Sequence, residues 1–205
     1  MLITILGSCR QDSLYEKYVI TSIKENISYT HYTKEILEVI NYCKFGNIDE
    51  EETKFVFRKP ILNNTPLKFS KKIKNEFENT DIFIIEIASR KYYKYNERYV
   101  HHVLIDSNEK IKENTEINYL SNEEIENDII KIKEELKKPL IIVSHILTYE
   151  NSKRNDLIFL LENRHDQSIY SILVNTFGSI KLKDEVDFLD DWTNKNEYPF
   201  LAKRL

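Results

Sequence analysis

The chain has 205 residues, 41% of them hydrophobic and 31% charged, with 34 acidic against 30 basic side chains and a net charge of −4. This composition excludes a disordered chain and disfavours nucleic-acid binding by phosphate neutralisation; no apolar run approaches the ~20 residues of a membrane-spanning helix. Two cysteines are too few for a disulfide scaffold and fit a reducing, cytoplasmic setting.

Residues 2–6 are apolar and β-branched and run straight into Gly7-Ser8-Cys9-Arg10, the pattern of a buried strand ending in a tight turn rather than of a signal peptide. Asp12 and Ser13 cap a predicted helix over 13–25, with Leu14, Tyr18 and Ile23 on one face. Residues 28–32 are short and β-prone. Thr33 caps a helix that carries Ile36, Leu37, Ile40 and Cys43 at helical spacing and stops at Gly46. The acidic stretch 47–53 reads as solvated, 55–57 as a small edge strand ended by Pro60, and 67–79 as an amphipathic helix burying Leu67, Ile73 and Phe77.

The run 81–88, DIFIIEIA, is nearly continuous apolar sequence, as a central parallel strand requires. It ends in Ser89-Arg90. An aromatic, basic stretch 91–99 follows, then His101-His102, then a polar loop over 106–120. Ser121 opens a helix to Lys138, with Glu124 completing a capping box and Ile125, Ile129, Ile132 and Leu136 forming the buried stripe. Residues 140–146 form another buried strand, 151–164 a helix with Leu157, Leu160 and Leu161 inside, and 169–174 a further strand. From about 178 the tail diverges; its Asp184, Asp187, Asp190 and Asp191 read as a solvated face rather than a cation site.

Alternating strands and helices predict a single α/β domain over 1–205, with a parallel sheet covered by helices on both faces. Ligands of such sheets sit at the carboxyl ends of the strands. Those ends carry Gly7-Ser8-Cys9-Arg10, Ala88-Ser89-Arg90 and Ser144-His145. Cys9 or Ser8 is the candidate nucleophile; a thiol at a helix start beside Arg10 gains acidity, although a small polar residue also suits a tight turn. The candidate base is His145, with His102 and His31 behind it. Arg10 and Arg90 suit a carboxylate or phosphate. Glu86, inside the buried strand, needs a partner such as Arg10 or Arg90. Cys43 is a buried apolar side chain. No phosphate-loop, dinucleotide or G-x-S-x-G motif occurs, and no zinc-like Cys/His pair spacing; no cofactor and no metal is expected.

The opening L-G-S-C-R after an N-terminal strand resembles the first block of the SGNH/GDSL hydrolase superfamily. It is closest to the G-S-C and G-N-C variants among GSCFA-type and polysaccharide-biosynthesis-associated proteins. The resemblance puts Cys9 in the nucleophile position and Ser89 where the family offers an Asn to the oxyanion hole. It implies a flavodoxin-like three-layer sandwich and a hydrolase or acyl transferase acting on an ester or acylated carbohydrate. The family's closing Asp-x-x-His is missing: no Asp here has His three residues on, and no histidine follows His165. The competing reading is therefore a catalytically degenerate protein that holds an anionic small molecule on the same scaffold.

Overall fold

The computed structural model describes residues 1–144 apart from 17 and 108, together with the backbone of 158–161. In chain order, strand β1 (Ile3–Leu6) leads through a 3-10 helix (Cys9–Glu16) to helices α1 (Ile23–Ile27), α2 (Thr33–Phe45), α3 (Thr53–Val56), α4 (Arg58–Asn63) and α5 (Lys71–Glu78). Strand β2 (Ile82–Ile87) follows, then β3 (Lys91–Tyr95), β4 (Arg98–Tyr99), α6 (Val103–Ser107), α7 (Glu109–Glu113) and β5 (Glu116–Tyr119). Helix α8 (Asn122–Leu136), strand β6 (Leu140–Ser144) and strand β7 (Ile158–Leu161) complete the described elements.

Two sheets result. The main one runs β1-β2-β6-β7 and is parallel throughout, with Leu6 opposite Ile85 and Ile87 opposite Ser144. The second, β4-β3-β5, is antiparallel. The protein is thus a mixed α/β fold. Every residue of β1 and β2 is buried, which is why these segments read as unbroken apolar runs. Because all four strands of the main sheet point the same way, the turns after β1 and β2 lie at one rim, to which the carboxyl end of β6 also points.

Helices α2 and α8 pack against each other, and Asp128 of α8 accepts from Thr33 Oγ1 at 2.7 Å and from Lys34 Nζ at 3.2 Å. Thr33 therefore serves the helix interface rather than a cap. The N-cap is Tyr32, and the fully buried Glu35 carboxylate reaches back to the N–H of His31 at 2.8 Å. Gly46 ends α2 with φ +62°, where a Cβ would meet the Phe69 ring. The predicted capping box of α8 is present, with both Ser121 and Glu124 engaged.

Several local expectations change. The helix predicted over 13–25 is replaced by the 3-10 helix and the short α1, because Val19-Ile20-Thr21 lies along β1 instead: Ile3 N donates to Val19 O at 3.0 Å and Thr21 N to Ile3 O at 2.9 Å. Three successive β-branched or hydroxyl-bearing side chains favour that edge. Residues 28–32 join no strand; they cross the strand ends. The edge strand predicted over 55–57 is helical, in α3 and α4, and Pro60 sits in the first turn of α4, where no N–H is needed. The helix over 67–79 starts later because Ser70 caps it, accepting from Ile73 N at 3.2 Å. The loop over 106–120 contains two helical turns and β5, whose four residues are all exposed and whose polar–apolar alternation, Ile117 and Tyr119 against Glu116 and Asn118, is too short to announce a strand. Within 151–164, residues 158–161 form a strand parallel to β6 rather than a helix; a four-residue apolar run has no period to decide between the two, and the free edge of β6 does. The strand predicted over 169–174, the acidic tail and His145 lie outside the described residues. No described helix is long and apolar enough to cross a membrane.

Candidate functional site

The turn after β1 is built against Glu86. Gly7 lies so close to it that an added Cβ would sit 2.7 Å from Glu86 Cβ and 3.0 Å from its Oε2. Only glycine fits there, for reasons of space and not of φ. The backbone N–H and the hydroxyl of Ser8 both donate to Glu86 Oε2 at 2.7 Å. Arg10 Nη1 stands 3.9 Å from the other oxygen. A fully buried carboxylate thereby gains short charge-assisted bonds, and the partner expected from the sequence is Arg10, with Ser8 as an unforeseen second.

This arrangement separates the two candidate nucleophiles. The Ser8 hydroxyl is buried and committed to Glu86. Cys9 is an exposed free thiol at the start of the 3-10 helix, near the Tyr29 phenol; Cys43 is free but buried.

Residues 30–31 cross the rim next to this turn. Thr30 N donates to Gly7 O at 3.0 Å, and the His31 carbonyl accepts from both Ala88 N and Ser89 N at 2.9 Å. His31 is thus fixed over the carboxyl end of β2, close enough to Glu86 and Arg10 to feel their charges. Tyr32 anchors the neighbouring strand exit, its hydroxyl donating to Val100 O at 2.6 Å. His101 and His102 follow directly and open α6, where their carbonyls accept from Leu104 N and Ile105 N.

The result is a cluster of three imidazoles. Ring centroids are 4.9 Å apart for His31–His101, 5.0 Å for His31–His102 and 4.3 Å for His101–His102. His101 is fully buried. Burial, followed by the neighbouring His102, pushes His31 down to about 4, and burial with both neighbours pushes His101 down to about 2; burial also lowers His102. The rings are therefore neutral at pH 7 and keep lone pairs for a proton or a Lewis acid. Glu35, which holds the His31 N–H, is pushed up to about 8 by burial.

Of the other sequence candidates, Ser89 is half-buried at the rim, its Oγ accepting from Lys91 N at 2.9 Å and making only a long 3.4 Å contact to Lys91 O. Arg90 lies in the same turn, its carbonyl accepting from Leu120 N. The structure therefore brings Ser8, Cys9, Arg10, His31 and Ser89 to one rim, and His102 to the cluster beside it. His101 and Glu35 were not foreseen. The adjacent His101-His102 pair was the visible signal, but its partner His31 is seventy positions away and no spacing rule links them. Compared with family models, curated proteins and solved structures, the chain matches none.

Proposed function

We propose that this rim is the active site of an SGNH-like hydrolase or acyl transferase acting on an ester or acylated carbohydrate, with Cys9 as nucleophile. The observation that carries the reading is the contrast within the first turn: Ser8 is buried and spent on Glu86, while the Cys9 thiol is exposed beside it. The parallel sheet supports placing this chain on a flavodoxin-like, three-layer scaffold, with the ligand at the strands' carboxyl ends.

The chemistry follows from the residues. A histidine takes the thiol proton, and the sulfur attacks the acyl carbonyl carbon. The new S–C bond pushes the carbonyl electrons onto oxygen, and their return breaks the C–O ester bond as the histidine protonates the departing alcohol. Water, or an acceptor hydroxyl, then attacks the thioester and restores the thiol. His145 is the expected base, with His102 and His31 as alternatives. The Ser8 N–H is committed to Glu86, so the oxyanion falls to the Cys9 N–H and to the Ser89 hydroxyl, whose present contact is loose. Arg10 and Arg90 orient an anionic group of the substrate.

The test is hydrolysis of O-acetylated sugars and p-nitrophenyl esters by the wild type, Cys9→Ala and Ser8→Ala. Loss of turnover in Cys9→Ala with wild-type folding supports the reading; undiminished turnover in that variant overturns it. The alternative, a binding protein for an anionic small molecule, rests on Arg10 at the rim. It predicts a thermal shift by phosphate or a sugar acid that Arg10→Ala abolishes, with no turnover.

A further inference from the structure

We propose that His31, His101 and His102 form a binding site for one divalent transition-metal ion of the zinc class. One ring nitrogen of each residue lies within 4.8 Å of the others. A tetrahedral zinc ion with bonds of ~2.0–2.1 Å needs its nitrogens about 3.3 Å apart, so modest side-chain rotations close the site. His31 and His102 are partly exposed and free to make them, whereas His101 is fully buried.

A second observation points the same way. His31 Nδ1 and His101 Nε2 are buried with no hydrogen-bond partner. Native interiors rarely leave such atoms unmatched, and one ion would satisfy both. His102 Nε2 faces Asp106 Oδ2 at 4.0 Å, which leaves Nδ1 for the ion in the carboxylate–histidine–metal pattern. His101 Nδ1 accepts from Val103 N at 3.2 Å. Coordination through Nε2 moves that ring's proton to Nδ1 and exchanges this long hydrogen bond for a metal–nitrogen bond.

An all-imidazole set selects zinc, copper, nickel or iron over magnesium and calcium. Three ligands leave a fourth position open, as in catalytic rather than closed structural sites. Arg58, Arg10 and Lys91 are cations whose charges oppose an ion here, offset in part by Glu86 and Asp106; Arg58 is held by Ser28 Oγ at 3.0 Å and stacked on the Tyr29 ring. The site rests on the cluster geometry alone and stands whether or not Cys9 is acylated.

The full chain, stripped by chelator and dialysed, is titrated with Zn²⁺ calorimetrically and with Co²⁺ by its visible ligand-field bands. Histidine modification by diethylpyrocarbonate is then mapped by mass spectrometry with and without Zn²⁺. We expect one ion per chain, Co²⁺ bands of a four- or five-coordinate centre, and protection of His31 and His102. His102→Ala should weaken binding by 10–100-fold or more. Failure of the wild type to take up an ion at one equivalent overturns the proposal. So does uptake that leaves His31 and His102 unprotected, a result that needs no variant to fold.

Discussion

Gly7→Ala puts the construction of the rim to its sharpest test. The new methyl would lie 2.7 Å from Glu86 Cβ and 3.0 Å from Glu86 Oε2, where carbon atoms ordinarily stand ~3.5–4.0 Å apart. Neither Cβ can step aside by rotation: one is fixed to the backbone at β1's exit and the other to the backbone near the carboxyl end of β2, where Glu86 is held in register opposite Val143 of β6. The strand exit must therefore shift by close to an ångström. Overpacking of this kind costs ~1–3 kcal/mol. The shift also stretches the two 2.7 Å bonds from Ser8 to Glu86, each a charge-assisted contact worth ~1.5–3 kcal/mol, of which part is lost. A total of about 2–5 kcal/mol is expected, and at ~2–4 °C per kcal/mol for a chain of this size the melting temperature falls by roughly 4–20 °C. Urea unfolding followed by far-ultraviolet circular dichroism measures it, with the exposed-site variant Cys9→Ala as a control expected within about 0.5 kcal/mol of wild type. A Gly7→Ala protein as stable as that control would refute the close approach and with it the reason for glycine at this turn.

Three further outcomes follow. Burial pushes the Glu35 carboxyl from 4.5 up to about 8, so its contribution to stability is complete below pH 4.5 and is lost as pH rises through 8; the wild type should lose up to ~5 kcal/mol over that window, an upper bound from 1.36 kcal/mol per unit, and Glu35→Gln should lose less, by urea midpoints at pH 4.5 and 9. In the folded protein iodoacetamide should label Cys9 alone, because Cys43 is fully buried and burial pushes its thiol pKa up; peptide mapping before and after unfolding checks this, and equal labelling of both in the native state would contradict the packing around α2. Tyr32→Phe removes the 2.6 Å bond to Val100 O that ties the His31 segment to the His101 segment. It should cost ~1–2 kcal/mol by urea unfolding, and no loss would mean the two segments are held by other contacts.

The strands of the main sheet were readable where they are fully buried: β1, β2 and β6 announce themselves as short apolar runs, and parallel pairing follows from the long connections between them. β5 alternates over only four residues, with Ile117 and Tyr119 on one face and all four exposed, too short a period to read, and the four apolar residues of β7 suit a helix and a strand equally well. At the site, Gly7 stood out because a chain with three glycines has few to spend, and Glu86 stood out as a charge within a buried strand. Arg10 was among its expected partners, but Ser8 was hidden because it contributes a backbone N–H as well as a hydroxyl, and main-chain donors leave no mark in sequence. The histidine cluster was hidden for a different reason. It is assembled by two loops clamped together through Tyr32 and Val100, 68 positions apart, with the His31 carbonyl tied to the Ala88 and Ser89 N–H groups at the end of β2.

Covalent capture of the acyl group bears most directly on the central reading. The protein is incubated with p-nitrophenyl acetate, quenched early in turnover and examined by intact-mass and peptide mass spectrometry, with nitrophenol release followed in parallel. One acetyl group on Cys9, formed and lost at a rate matching turnover and absent in a folded Cys9→Ala variant, is the predicted result. An adduct on another residue, or turnover that proceeds with Cys9 unmodified, would contradict it.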